Sequence, residues 1–181
     1  MVYLAEMKNK KIAIIDYQMS NMFSIRNAIG KIGYQTKVVS DPSKLSGYDV
    51  AILPGVGAYP EAVRHLKSLG LLDSIIEFIK SGKSFIGICL GLQLLFSKSL
   101  EFEDTNGLNV ISGNVLKFSH DKVKNIPHVG WNSIDILHDS IIKNKIFNKI
   151  KNKSYMYFIH SMYVLPEDKN VICATTNYGN M

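Results

Sequence analysis

Short apolar runs alternate along this chain with stretches in which apolar residues recur every three or four positions. The first run, from Lys11 to Asp16, is apolar in its centre and ends in a carboxylate, which is typical of a buried parallel strand. From Met22 to Ile32 the spacing is helical, and Gly33 ends the predicted helix. The alternation continues with predicted strands at 36–40 and 48–53 and predicted helices at 62–69 and 72–80. This order predicts an α/β fold with a central, mostly parallel sheet and helices on both faces.

The pattern changes after Phe96, where short strands and turn residues replace the long helical stretches. Turn residues stand at 107–108, 113–114 and 125–127, and strands are predicted at 155–160 and 171–176. Strands joined by short turns pair antiparallel, so we expect an antiparallel extension. The only tryptophan, Trp131, lies there beside Gly130, either as an exposed anchor or as a packed turn residue.

The stretch with the clearest chemical signal is an apolar strand, Phe85 to Ile88, that leads directly into Cys89. Gly87 and Gly91 stand two residues on either side, and a helix is expected to follow through Phe96. Such an elbow holds the cysteine in a strained backbone conformation, which flanking glycines permit because they lack a Cβ atom. The helix dipole is expected to favour the thiolate, and the first helical amides to stabilise an oxyanion. The competing interpretation is an inert, buried cysteine.

A second glycine-containing loop, Pro54-Gly55-Val56-Gly57, follows the predicted strand at 48–53. Two glycines around one residue let a backbone amide turn toward a ligand at no steric cost, although an ordinary strand-to-helix turn would read the same way. Both loops lie at the carboxyl ends of parallel strands, where open α/β sheets bind ligands. The sequence therefore predicts that Cys89 faces an amide-lined crevice.

Composition limits the domain count and the cellular setting. A chain of 181 residues with 46% hydrophobic content is sufficient for one domain, and we expect a single domain over 1–181. No apolar run approaches the roughly 20 residues that cross a bilayer, and the first residues lack a secretory core, so a cytoplasmic protein is expected. The two cysteines are expected to be free thiols, with Cys173 buried and inert.

The net charge of +6 does not indicate a nucleic-acid-binding protein, because nearly all the positive residues are lysines. The densest basic segment, Lys143 to Lys153, has helix-like apolar spacing and is interpreted as a solvated helix face, with a docking surface for an acidic partner as the alternative. No His, Cys or Asp pair shows metal-ligand spacing, so no metal site is expected.

Several motifs together resemble one family. They are Asp16-Tyr17 with Asn21, Pro54-Gly55-Val56-Gly57, Gly87 to Phe96, Pro127 to Asn132, and Phe158-Ile159-His160-Ser161. In this order they resemble the glutaminase subunit of imidazole glycerol phosphate synthase, a class I glutamine amidotransferase, over nearly the whole chain. The resemblance implies a flavodoxin-like three-layer sandwich.

The resemblance also implies roles for single residues. Cys89 would attack the side-chain amide of glutamine through a thioester, and backbone amides of Val56 and Leu90 would form the oxyanion hole. Further site residues carried over in the same way are Gly57, Gln93 and Ser161, which would bind glutamine, and Trp131, which would lie at the partner interface. The implied partner is a (βα)8-barrel cyclase that receives the ammonia in histidine biosynthesis, with no cofactor, in a heterodimer.

One departure from the family pattern concerns the general base. The family carries a His-Pro-Glu motif after the last strands, and no such motif occurs in residues 1–181, so we expect a shortened chain rather than a lost triad. The alternatives are a subunit that supplies ammonia to a sugar amidotransferase in surface polysaccharide synthesis and a catalytically dead, binding-only subunit. On its residues alone His160 would be the candidate base, and the other histidines are expected at the surface or in turns.

Smaller departures occur beside the motifs. Gln18 and Ser20 stand where the family usually has glycines, which puts the conformation of the first loop in doubt. Met162 stands where an aromatic residue usually follows His-Ser. Neither change alters the expected fold.

Overall fold

A computed structural model describes residues 10–137, 146–147 and 149–179 of the chain. The chain divides into two compact units, with the boundary between Val110 and Ile111. We refer to residues up to Val110 as unit 1 and to those from Ile111 as unit 2. The single domain expected from the chain length stays a prediction.

Unit 1 contains a four-stranded parallel sheet. Its strands are β1 (Ile12–Ile15), β2 (Thr36–Val39), β3 (Val50–Leu53) and β4 (Ser84–Gly87), in the order β2-β1-β3-β4. The registers pair Ile12 with both Thr36 and Val50, and β4 pairs with β3. All four residues of β1 and of β3 are buried, as expected for inner strands of a parallel sheet covered on both faces. The predicted parallel sheet is confirmed.

Helices follow the strands of this sheet, and those at 22–31, 59–68 and 71–80 lie close to predicted positions. They are α1 (Met22–Lys31), α2 (Pro42–Leu45), α3 (Tyr59–Ser68), α4 (Leu71–Lys80) and α5 (Leu90–Gln93). The side chain of Asn21 accepts a hydrogen bond from the Ser24 backbone N–H at 3.2 Å and so caps the start of α1. Gly33 follows the end of α1 with φ of 89°, a conformation that suits glycine.

The core of unit 1 forms where α1 covers the sheet. Ile12, Val50 and Ile52 are buried side by side on neighbouring strands, and the half-buried Ile25 and Ile29 of α1 pack against them. Residues 25 and 29 are one helical turn apart, so their side chains lie on one face of α1. The helical spacing in the sequence therefore marks the face that covers the sheet.

The expected helix through Phe96 is wrong in its extent. The helix α5 ends at Gln93, and Phe96 begins the strand β5 (Phe96–Ser99), which pairs antiparallel with β6 (Thr105–Asn106). Backbone hydrogen bonds from later residues divert the chain, since the Leu108 N–H donates to the Leu94 carbonyl at 2.9 Å. A turn followed by a buried strand start satisfies the same apolar spacing, which is why the pattern did not distinguish them.

Unit 2 consists of antiparallel strand pairs, which confirms the expected antiparallel extension. The pairs are β7 (Ile111–Lys117) with β11 (Met162–Pro166), β8 (His128–Ser133) with β10 (Tyr155–His160), and β9 (Asp135–Ile136) with β12 (Ala174–Thr175). The last strand is shorter than the predicted strand at 171–176, because residues 169–171 form a turn of 3₁₀ helix.

Two remaining expectations concern the basic segment and membrane insertion. Residues 143–145 and 148 of the predicted helix at 143–153 lie outside the described residues. Ile146 is helical, whereas residues 149–153 form turns and irregular structure rather than a helix. Within the part of the chain that the structure describes, no helix has the length and apolar character needed to span a membrane.

Candidate active site

Cys89 stands at the sharp turn between β4 and α5. Its backbone has φ of 54° and ψ of −116°, a region that non-glycine residues rarely occupy. The turn is held from both sides, because the Ile88 N–H donates to the Leu53 carbonyl at 3.0 Å and the Leu92 N–H donates to the Cys89 carbonyl at 2.9 Å. The strained elbow predicted from the sequence is confirmed.

The glycines around Cys89 are required by close contacts as well as by the turn. A Cβ atom added to Gly87 would lie 2.7 Å from the Gly91 carbonyl oxygen. A Cβ atom added to Gly91 would overlap the Leu53 carbonyl oxygen. Distances this short do not occur between unstrained atoms, so the elbow packs onto the end of β3 only because both residues lack side chains.

The predicted preference for the thiolate is wrong for this structure. Cys89 is exposed as a residue, yet the surrounding protein desolvates the sulfur, and this raises the pKa of the thiol. A hydrogen bond from the Leu90 backbone N–H opposes the shift without cancelling it. The helix expected through Phe96 is shortened to the four residues of α5, which align few peptide dipoles.

The second predicted loop lies against the elbow. A Cβ atom added to Gly55 would lie 2.9 Å from the Leu90 Cβ atom. The Val56 N–H donates to the Met19 carbonyl at 2.9 Å, so this amide is engaged within the protein. Gly57 has φ of 110°, a conformation that favours glycine. The structure thus brings the Val56 loop and Leu90 together, while the oxyanion role of Val56 stays a prediction.

Tyr17 belongs to this region, although no role was predicted for its side chain. Its side chain is completely buried, and its hydroxyl has no hydrogen-bond partner among the described residues. A Cβ atom added to Gly55 would overlap this hydroxyl oxygen. Burial, and then the charge of Cys89, raise the pKa of Tyr17 far above its usual value. Its position in the sequence could have indicated a place near the site, because Tyr17 follows Asp16 at the carboxyl end of β1, where open α/β sheets bind ligands.

The remaining predicted site residues are distributed over both units. Gln93 is buried at the end of α5, and its N–H donates to the Cys89 carbonyl at 3.1 Å. Ser161 lies in unit 2, half-buried between β10 and β11, where its carbonyl accepts from the Phe118 N–H at 3.1 Å. Their glutamine-binding roles stay predictions. Cys89 and Cys173 form no disulfide with each other, as expected, but Cys173 is half-buried rather than buried.

His128 and His160 form a hydrogen-bonded pair on the two-stranded ribbon of β8 and β10. The His160 Nδ1 atom lies 2.6 Å from the Met162 carbonyl oxygen, which only accepts, so Nδ1 carries the proton. The unprotonated Nε2 of His160 then accepts from Nδ1 of His128 at 3.1 Å. Both ring nitrogens of His160 are therefore engaged within unit 2, and neither is available as the general base considered from the sequence.

The surface or turn position expected for His128 is wrong. His128 lies in β8 with 4% of its surface exposed. Its ring stacks on Tyr178 at 3.9 Å and on Phe158 at 4.9 Å between centroids. Burial, and secondarily the neighbouring His160, lower the pKa of His128. Strand alternation places His128 on the inner face of the ribbon, whereas the flanking Pro127 suggested a turn.

The opposite face of the ribbon is apolar and exposed. In the register of β8 with β10, Trp131 pairs with Tyr157 and Val129 pairs with Ile159. The Trp131 and Tyr157 rings lie edge to face, with centroids 5.6 Å apart. We call this surface the outer face, and its exposed apolar members are Val129, Trp131, Tyr155, Tyr157 and Ile159. Of the two interpretations of Trp131, the exposed one is confirmed, since 70% of its surface is accessible.

Comparisons with known proteins extend these observations. The profile of the family described as "Glutamine amidotransferase class-I" matches residues 13–181. The chain is 42% identical over 173 residues to the imidazole glycerol phosphate synthase subunit HisH of Syntrophotalea carbinolica, covering 93% of this chain and 82% of that protein. It is 45% identical over 168 residues to the HisH subunit of Caldanaerobacter subterraneus, covering 93% and 80%.

Among solved structures, the fold is similar to that of PurLQS from Thermotoga maritima. The TM-score is 0.66 at 18% sequence identity, and the match covers 94% of this chain and 77% of the other. At that identity the likeness concerns the fold alone.

Proposed function

The chain belongs to the class-I glutamine amidotransferase family, and we propose that within it Cys89 is the nucleophile that releases ammonia from glutamine. The curated relatives are subunits of imidazole glycerol phosphate synthase, which makes the chain a glutaminase subunit of histidine biosynthesis. The observation that carries the assignment of Cys89 is its strained position between two tightly packed glycines, because a buried structural cysteine needs no such turn.

The proposed reaction proceeds through a thioester. The Cys89 sulfur attacks the side-chain carbonyl carbon of glutamine, and the carbonyl π electrons move to oxygen. The tetrahedral intermediate collapses, the carbon–nitrogen bond breaks, and the nitrogen leaves as ammonia after taking up a proton. Water then adds to the thioester carbonyl, and the carbon–sulfur bond breaks to give glutamate and the free thiol.

Backbone amides beside Cys89 are suited to the oxyanion of this intermediate. The Leu90 N–H already points at the sulfur, as its hydrogen bond indicates. The Val56 N–H would serve as the second donor once it leaves the Met19 carbonyl. We further propose that Gly57, Gln93 and Ser161 contact glutamine. In the family a His-Pro-Glu motif supplies the acid and the base, and residues 1–181 do not contain it.

Alkylation by a glutamine analogue tests Cys89 without a proton-transfer partner. The probe is the chloromethyl ketone of glutamine, in which CH2Cl replaces the amide nitrogen group, so that the thiolate displaces chloride. We expect one adduct on Cys89, mapped by mass spectrometry, and slower labelling when glutamine is present. Cys173 is the internal control, since it should be labelled slowly and without protection by glutamine. Equal labelling of both cysteines, unaffected by glutamine, would refute the proposal.

We also propose that the outer face of unit 2 docks the partner, a (βα)8-barrel cyclase that receives the ammonia. The relatives are named as subunits, so a partner subunit is expected. Tyr155, Tyr157 and Trp131 are each more than half exposed on one face, and aromatic residues of this kind are enriched in the cores of protein interfaces. The names of the relatives do not favour the alternative partner, a sugar amidotransferase.

A further inference from the structure

The Tyr17 hydroxyl is a buried polar group with no described partner. The side chain has 0% of its surface exposed, and none of the described residues accepts a hydrogen bond from the hydroxyl or donates one to it. A phenylalanine would fill the same volume without the cost of burying an unsatisfied oxygen. An unsatisfied group of this kind requires an explanation.

The hydroxyl is held at a defined place. The Tyr17 carbonyl accepts a hydrogen bond from the His65 Nδ1 atom at 3.1 Å, which fixes the backbone from which the side chain extends. A Cβ atom on Gly55 would strike the hydroxyl and would also lie 3.0 Å from the Gly91 backbone nitrogen. The hydroxyl therefore lies beneath the Pro54–Gly57 loop, beside the first turn of α5, and next to the backbone that carries Cys89.

Negative charge at Cys89 affects the pKa of Tyr17. The Cys89 thiolate raises the pKa of Tyr17 beyond the increase that burial causes, so the phenol remains neutral at every physiological pH and keeps its proton as a donor. The same environment desolvates the Cys89 sulfur and raises the pKa of the thiol. A neutral, desolvated O–H donor near this sulfur would stabilise negative charge there more strongly than a donor in water.

We propose that Tyr17 is a positioning residue of the glutamine site whose buried hydroxyl stabilises the negative charge that forms at Cys89. The inference rests on the proposed function, because that function requires Cys89 to react as a thiolate. It gives the unsatisfied hydroxyl a role as a buried dipole beside the elbow, without a direct hydrogen bond to the sulfur.

Tyr59 provides a matched comparison within unit 1. Its side chain is also 0% exposed, and its hydroxyl also lacks a partner among the described residues. This hydroxyl packs against Gly107, and burial is the cause given for the raised pKa of Tyr59, with no contribution from Cys89. Removal of either hydroxyl should therefore have a similar effect on stability, but only removal of the Tyr17 hydroxyl should change the reactivity of Cys89.

The test measures alkylation of Cys89 by iodoacetamide as a function of pH, with the adduct mapped by mass spectrometry. In Tyr17→Phe we expect the rate near neutral pH to fall roughly threefold to tenfold, and the rise of the rate to move to higher pH, because a buried O–H dipole beside the thiolate is lost. In Tyr59→Phe we expect the parent profile. Both variants should melt at or slightly above the parent temperature, since each removes an unsatisfied hydroxyl.

The outcomes separate this inference from the proposed function. A Tyr17→Phe profile that superimposes on the parent profile would overturn the inference, and so would an equal shift in Tyr59→Phe. Iodoacetamide requires no glutamine site, so the profile decides the effect of Tyr17 even if glutamine fails to protect Cys89 from the chloromethyl ketone. That failure would refute the proposed function instead.

Discussion

The Cys89 elbow of unit 1 and the β8–β10 ribbon of unit 2 are built on different principles. The elbow depends on backbone atoms, because a strained φ and two glycines in hard contact with main-chain oxygens place one sulfur. The ribbon depends on side chains, because an inner face of stacked rings and an outer face of exposed apolar residues alternate along the same two strands. The elbow therefore tolerates no added atom, whereas the ribbon is sensitive to the chemistry of its side chains.

The two regions are therefore sensitive to different kinds of substitution. A backbone site is destroyed by steric change even when polarity is preserved. Truncation of one exposed side chain leaves the fold intact, but loss of a central aromatic residue weakens binding of a partner protein. Three predictions test this distinction.

The largest effect is expected at Gly91, where an added Cβ atom would overlap the Leu53 carbonyl oxygen. We expect Gly91→Ala to lower the free energy of unfolding by about 3 kcal/mol or more, because β3 and the elbow must separate. The measurement is urea unfolding followed by circular dichroism. A failure to accumulate as soluble folded protein would agree with the same loss.

The matched control for this substitution is Gly30→Ala. Gly30 lies in α1, and apart from its chain neighbours and the nearby helix backbone no described heavy atom lies within 4 Å of where a Cβ atom would be. Alanine should stabilise this helix by about 0.5–1 kcal/mol. If both variants unfold at the same urea concentration, the close packing of the elbow is not what the structure implies.

An intermediate effect is expected at Trp131 on the outer face. Trp131→Ala should weaken binding to the cyclase partner by about 2 kcal/mol or more, because a central exposed aromatic residue is a typical hot spot. The melting temperature should remain close to that of the parent, since 70% of the side chain is already accessible. Isothermal titration calorimetry with the purified partner measures the change.

Phe102→Ala serves as the control for general loss of exposed aromatic surface. Phe102 is 85% exposed and lies between β5 and β6 in unit 1. We expect this variant to bind the cyclase like the parent. Equal weakening by both substitutions, or none by either, would contradict the assignment of the outer face.

The smallest effect is a pH dependence from the inner face. The folded-state pKa of His128 is lowered by burial and then by His160, so the unfolded chain binds this proton more readily than the folded chain. The stability from neutral His128 is present above the ordinary histidine pKa of about 6.5 and is lost as the pH falls below it. The melting temperature should therefore decrease on acidification through that range.

His128→Phe is the matched variant for the pH dependence, because it keeps a ring that can stack on Tyr178 and removes the titrating group. Its melting temperature should depend less steeply on pH between about 7 and 5 than that of the parent. The same slope in both proteins would show that His128 does not titrate on unfolding. Nuclear magnetic resonance titration of the His128 ring provides the direct measurement.

Local patterns predicted much of the fold. The apolar runs placed β1 and β3 within two residues of their observed bounds, because strands buried on both faces leave a continuous apolar signal. The glycines at 87 and 91 marked the elbow correctly. The helix predicted through Phe96 failed, because spacing alone does not distinguish a helix from a turn that enters a buried strand.

Residue types at fixed spacing were enough to predict the order of most elements and the family, and they marked Cys89 as the proposed nucleophile. The environments of Cys89, Val56, Tyr17 and His128 became clear only from the folded structure. The raised pKa of Cys89, the Val56 amide bound to Met19, and the burial of Tyr17 and His128 all arise from atoms distant in sequence. Desolvation and hydrogen bonding depend on which groups lie close together in the folded protein, and the spacing of residues along the chain does not show this directly.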